Sequence, residues 1–247
     1  MKSQFMFLAA VFGAVLSCAT AKSSAAIQTA SAPKLVYLNT CIGGCPIYAG
    51  NDNAVNRYSS VIYGAVTVQP FAYSSDTFAQ IAACTRAVLE PFNIKLTVHD
   101  PGNLPRDEVL LTTTGTSMGL QDGIGLMAPF TGAYQPNTLG FVFASAFGGN
   151  VDEVCWSTAM VIGELFSLNR VTPCADLMSF ASGCGEKAFT NADSACDGTN
   201  FGTPGKCFSG ASTQNSFAIL TTIAGPVDTV FAQGFDAWEL PHAGPSP

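Results

Sequence analysis

Few residues in this chain have side chains that do chemistry, and most of them stand apart. The 247 residues include two histidines, His99 and His242, separated by more than half of the sequence. A catalytic zinc site draws about three protein ligands from His, Cys and carboxylates, and two remote imidazoles do not supply it. Carboxylates offer more. Glu164 is the single acid in an otherwise apolar run over residues 156–169, and Asp176 and Glu186 follow within reach of the same region. A hydrolase would have to be assembled around these three, because no His or Cys is placed as a nucleophile or base partner. Cys41 and Cys45 enclose Ile-Gly-Gly; without a second cluster of ligands this C-x-x-x-C spacing reads as a tight local disulfide. Asp52 is one acid among amides, which is no calcium signature. Residues 115–125 are glycine-rich but lack the strand-to-helix setting and the lysine of a phosphate cradle. His99 precedes the Asp100-Pro101-Gly102 turn and is read as structural.

The element that must position Glu164 is a helix. Residues 155–180 read CWSTAMVIGELFSLNRVTPCADLMSF. No proline or polar cluster interrupts residues 156–169, so the run predicts a buried helix of three to four turns. Asp152 and Glu153 stand just ahead of it, where acids suit the positive helix end. The chain then turns through Val171-Thr172-Pro173 and arrives at Asp176-Leu177-Met178-Ser179.

This layout resembles the active-site helix and Met-turn of metzincin metalloproteases, in their matrixin-like secreted bacterial branch. The family pattern is H-E-x-x-H-x-x-G-x-x-H followed by a methionine-bearing turn. In register, the zinc histidines fall on Met160, Glu164 and Arg170, the catalytic glutamate on Val161, and the glycine on Ser167. Gly163, Leu168 and the turn residues Asp176, Leu177 and Met178 match the scaffold. The chemistry does not match. A thioether at Met160 is a poor zinc ligand, Arg170 repels a dication, and Val161 accepts no proton. The resemblance therefore implies a degenerate metzincin-like framework with no metal, no cofactor and no catalytic residue. In such a fold the chain bends after Ser167 and returns Arg170 toward Glu164, so the two are expected to form an ion pair in the former metal slot, with Met160 filling the remaining volume.

The other elements follow in order. Residues 34–39 predict a first strand, and residues 51–60 a polar loop. A helix is expected over 76–90, capped by Ser75 and stopped by Pro91, with Cys84 inside it. Strands are expected over 94–99, 109–114 and 140–147. Residues 182–210, rich in Gly, Asn and Asp, form an irregular stretch that needs disulfides to stay folded. A last helix opens at Ser212 or Thr213 and runs to Ile223, before Gly225-Pro226. The fold class is α+β. As a metzincin-like zincin fold it implies a twisted mixed sheet, two long helices, a Met-turn and a disulfide-held C-terminal subdomain ending in a helix.

Residues 1–21 read as a secretory signal, with Lys2, an apolar run over 5–16 and Ala19-Thr20-Ala21 as the cleavage site. Residues 22–33 form a small-residue linker. The folded unit is expected over 34–226, divided near 170 into an N-terminal part and a C-terminal part from 171, with a tail over 227–247. An alternative is a lipoprotein signal with Cys18 as the lipidation site. Nine cysteines less Cys18 leave Cys41, Cys45, Cys84, Cys155, Cys174, Cys184, Cys196 and Cys207, an even set suited to disulfides in an oxidising compartment. A pI of 4.6 and a formal charge of −7 argue against nucleic acid. After the signal no apolar stretch is long enough for a transmembrane span.

Three functional readings follow. The first is a secreted pseudoprotease that binds a peptide or protein in the cleft along the central helix. The second is an active peptidase or other hydrolase using non-standard residues around Glu164, Asp176 and Glu186. The third is a structural surface or matrix component. Oligomeric state is not legible.

Overall fold

The computed structural model describes residues 32–198, 205–225 and 227. The expected signal segment with Cys18, the expected linker up to residue 31, and the residues beyond 227 with His242 lie outside the described residues. In chain order the elements are β1 (Lys34–Asn39), β2 (Cys45–Ala49), β3 (Tyr58–Ser59), β4 (Ala65–Val68), α1 (Ser75–Leu89), β5 (Ile94–Thr97), β6 (Asp107–Thr112), β7 (Leu126–Met127), β8 (Leu139–Phe143), α2 (Val151–Leu165), β9 (Ser194–Ala195), β10 (Thr213–Gln214) and α3 (Ser216–Ala224). This is a mixed α+β architecture.

The main sheet has the order β5-β1-β6-β8-β7. The first four strands are parallel, and β7 runs antiparallel along the edge of β8. A parallel sheet needs both faces covered, and the alternation of side chains shows how that is done. Val36, Leu38, Val109, Leu111 and Val142 point to one face and pack with Ile81, Val161 and Leu165 of the two long helices. Leu110, Leu139, Phe141 and Phe143 point to the other, where they meet Ile47, Val68 and the Cys41–Cys45 bridge. That second cover is a three-stranded sheet, β3-β2-β4. The result is helices, main sheet and small sheet in three layers.

Several expected boundaries move, each for a local reason. The helix expected over 76–90 is Ser75–Leu89, because Ser74 and not Ser75 accepts the capping bond from the Thr77 amide. The central helix begins at Val151, so Asp152 and Glu153 form its first turn instead of flanking it, and Asn150 caps it through the Glu153 amide. It stops at Leu165, short of 169, because Ser167 adopts a left-handed conformation with φ of 69°. The strand expected over 109–114 is Asp107–Thr112: its first two carboxylates are inside the sheet. The strand expected over 94–99 ends at Thr97. The strand over 140–147 is Leu139–Phe143, and residues 144–147 coil into a short 3-10 turn. The 51–60 loop carries β3, and β2 and β4 are strands that the sequence reading did not contain. The last helix starts at Ser216, capped by Asn215, because Thr213 and Gln214 pair with β9.

All eight described cysteines are bridged: Cys41–Cys45 as expected, then Cys84–Cys155, Cys174–Cys184 and Cys196–Cys207. Four disulfides fit an extracellular, oxidising environment. Among the described residues no helix is long and apolar enough to cross a membrane.

Candidate functional site

Helix α2 is buried almost all round, from Val154 through Leu165 with the exception of Trp156. A helix apolar on every side belongs to the centre of a fold, and Glu164 is the charge it carries inward. The helix ends in a hydrogen-bonded reversal. The Ser167 amide donates to the Glu164 carbonyl at 2.9 Å, and the Leu168 amide reaches back to the Gly163 carbonyl at 2.8 Å. This is the six-to-one and five-to-two pattern of a Schellman cap, with Ser167 at the position that usually holds glycine. The reversal brings Arg170 back against the helix.

There Arg170 Nε donates to Glu164 Oε1 at 2.9 Å. The Glu164 side chain is 3% exposed and that of Arg170 is 21% exposed. The guanidinium also lies over the Phe180 ring, 4.0 Å from its centroid. Met160, one turn before Glu164, is 4% exposed, and Val161 is fully buried in the core. The four positions that the resemblance singled out therefore divide: Glu164 and Arg170 meet, while Met160 and Val161 pack with apolar neighbours.

The Asp176-Leu177-Met178 turn seats directly under this helix. A Cβ on Gly163 would come within 2.5 Å of Met178 Sδ, so the close approach requires glycine there. Asp176 is wholly buried. Its carboxylate accepts from the Met178 amide at 2.9 Å, from the Thr190 hydroxyl, and from Ser216 Oγ at 3.2 Å at the start of α3. Lys187 Nζ donates to the Ser179 and Ala181 carbonyls, each at 2.7 Å, and burial lowers its pKa. Asn169 and Gln214 exchange bonds, including Gln214 Nε2 to the Asn169 carbonyl at 2.6 Å. Asp176 and Glu164 thus spend their oxygens on the scaffold, and Glu186 is exposed on the surface. The three carboxylates considered for a hydrolase do not share bonds with one another. Among the described residues no three His, Cys, Asp or Glu side chains gather into a metal-binding group. His99 is exposed just past the end of β5.

The sequence reading missed a second set of buried charges. Glu108 on β6 is wholly buried and accepts from Asn39 Nδ2 at 2.7 Å and Arg106 Nη2 at 2.9 Å. Arg57 Nη1 stands 3.8 Å away, an electrostatic contact too long for a hydrogen bond. Burial raises the Glu108 pKa against the pull of Asn39 and the two arginines. Its neighbour Asp107 faces the helices; it accepts from the Thr138 amide and the Tyr134 hydroxyl, both at 3.0 Å. Burial pushes its pKa up to about 6. The one signal for this cluster is the run Arg106-Asp107-Glu108, the single place where three charged residues are adjacent in the chain.

No family model matches this chain, and no curated protein sequence matches it either.

Proposed function

We propose that this is a secreted, catalytically inactive metalloprotease-like protein that acts by binding a peptide or protein ligand. The observation that carries the reading is the Glu164–Arg170 pair. Both residues stand at ligand positions of the metzincin motif, and at 2.9 Å they engage each other. Support also comes from the order of elements. Four strands, three of them in the covering sheet, then a helix, further strands and a long buried helix lead to a methionine turn that seats on that helix's glycine. The low charge content and four disulfides also suit a structural surface component, and capture of a defined peptide or protein partner separates binding from that role.

The reading is tested on the purified secreted chain after dialysis, by zinc analysis together with casein and gelatin hydrolysis. No stoichiometric zinc and no cleavage are expected. One zinc per chain with chelator-sensitive proteolysis overturns the proposal and installs the hydrolase reading.

A further inference from the structure

The small sheet that covers the main one has an outer face of its own. Along β2 the side chains alternate: Ile47 is buried against the main sheet, and Tyr48 points outward. Tyr58 is its parallel partner on β3. The two rings lie 5.7 Å apart, tilted by 41°, and are 43% and 42% exposed. The Tyr58 ring rests on bare main chain, since a Cβ on Gly50 would lie 2.9 Å from its Cδ1. At the end of β2 the Ala49 amide bonds the Gly64 carbonyl at 2.7 Å, and Tyr63 is the residue next to Gly64 in the chain. Tyr63 is 97% exposed. Half of the chain's six tyrosines are therefore gathered on one corner of a small sheet.

The surroundings say what kind of ligand fits. From residue 41 to residue 68 the charges are Asp52 and Arg57 alone. Asp52 is occupied by the Ser60 amide at 2.9 Å, Ser60 Oγ at 2.8 Å and Ser59 Oγ at 3.3 Å. Arg57 is drawn inward toward Glu108. The other exposed polar side chains of residues 51–60 are amide and hydroxyl: Asn51, Asn56 and Ser60. An anionic polymer would find one cation in this stretch, the partly exposed Arg57, and that is drawn inward. A stable protein interface buries about 800 Å² on each side around an apolar centre, more than three tyrosines offer at about 150–250 Å² each. Aromatic faces flanked by uncharged donors and acceptors suit sugar rings, which present C–H faces to the aromatics and hydroxyls to the rim. The 41° tilt suits successive units that are rotated along a chain.

We infer that this tyrosine face binds a neutral polysaccharide. The surface lies on the layer opposite the helices, so its binding does not depend on the protease-like reading of α2. The test incubates the full secreted chain with insoluble cellulose, chitin and starch, and with polygalacturonate beads as an anionic control, and measures depletion from solution. At least one neutral polymer is expected to deplete the protein, with little loss when salt is raised. Tyr48→Ala and Tyr63→Ala should each weaken retention about tenfold, which corresponds to about 1.4 kcal/mol, while Tyr63→Phe binds like the parent. Both positions are exposed, and unchanged thermal melting confirms that the fold is intact. Absence of depletion by all three neutral polymers overturns the inference. So does preference for polygalacturonate, or retention indifferent to the two alanine variants.

Discussion

Removing Arg170 should damage this protein more than removing Glu164, and the difference follows from burial. Arg170→Ala leaves a 3%-exposed carboxylate without its guanidinium. Stranding one partner of a buried pair costs about 3–5 kcal/mol. Arg170 is itself 21% exposed, so solvent screens part of the attraction and the lower end of that range applies, about 3 kcal/mol. Glu164→Ala leaves a cation that still rests on the Phe180 ring and reaches water; about 2 kcal/mol is expected, much of it from the emptied volume. The double variant strands neither charge and should cost no more than the larger single loss, which makes the coupling about 2 kcal/mol. Urea unfolding of the oxidised protein, followed by far-UV circular dichroism, reads this directly. With a slope of about 1–3 kcal/mol/M, 3 kcal/mol moves the midpoint by about 1–3 M. A coupling below about 0.5 kcal/mol, or equal losses in the two single variants, would refute the view that the pair acts as a cross-link.

Two further perturbations test neighbouring parts of the framework. Asp107 has a folded pKa raised to about 6 from an ordinary 3.8. The folded state therefore holds the proton more tightly, and the stabilisation is complete below about pH 4 and lost as pH rises through 6. Asp107→Asn keeps an acceptor for the Thr138 amide and should raise stability at pH 7 by about 1–3 kcal/mol. It should also remove the part of the pH 4–6 slope that the parent shows; parallel profiles for parent and variant would contradict this. Ser167→Gly relieves a left-handed backbone that costs about 1–2 kcal/mol and removes a buried hydroxyl with no partner. Against the entropy that glycine adds to the unfolded chain, a net gain of about 1 kcal/mol in urea midpoint analysis is expected, and a loss would show that Ser167 holds the turn in some other way.

What could be read from the sequence was whatever depended on local periodicity. The apolar run to Leu165 announces its helix, and Cys41 and Cys45 announce their bridge, because both signals lie within one element. The convergence of Glu164 and Arg170 was legible only through the resemblance, since nothing in the spacing alone says that the chain reverses at a serine. Strand β2 escaped because Pro46 inside it and Gly44 just before it carry turn chemistry that outweighs a short alternation, and β4 because its four residues, Ala65–Val68, are too few to show a period. The carboxylates of β6 escaped for a tertiary reason. Asp107 and Glu108 look like the polar margin of an apolar strand, and only the partners that arrive from Asn39, Arg106, Thr138 and Tyr134 make their burial tolerable. The pairing of Cys84 with Cys155 likewise needs the helices to be packed before it becomes visible.

The distribution of cross-links places unusual weight on the noncovalent joint beneath α2. Cys84–Cys155 ties one long helix to the other. Cys174–Cys184 and Cys196–Cys207 close loops of sequence separation 10 and 11, and both lie wholly inside the segment that follows the helix. Bridges of that length stiffen the segment, contributing up to about 3 kcal/mol each in the chain-entropy account, but they do not fasten it to α2. That attachment is noncovalent: the Glu164–Arg170 pair, Met178 and Phe189 against Gly163, and Lys187 over the Trp156 ring. Among the described residues between Phe166 and Ser212, β9 is the one strand, so these residues have few ladder bonds to substitute for a lost contact. An arginine at position 170 therefore acts as a fastener between helix and turn, and a charge that would oppose a metal ion becomes the counter-charge that makes a buried glutamate tolerable.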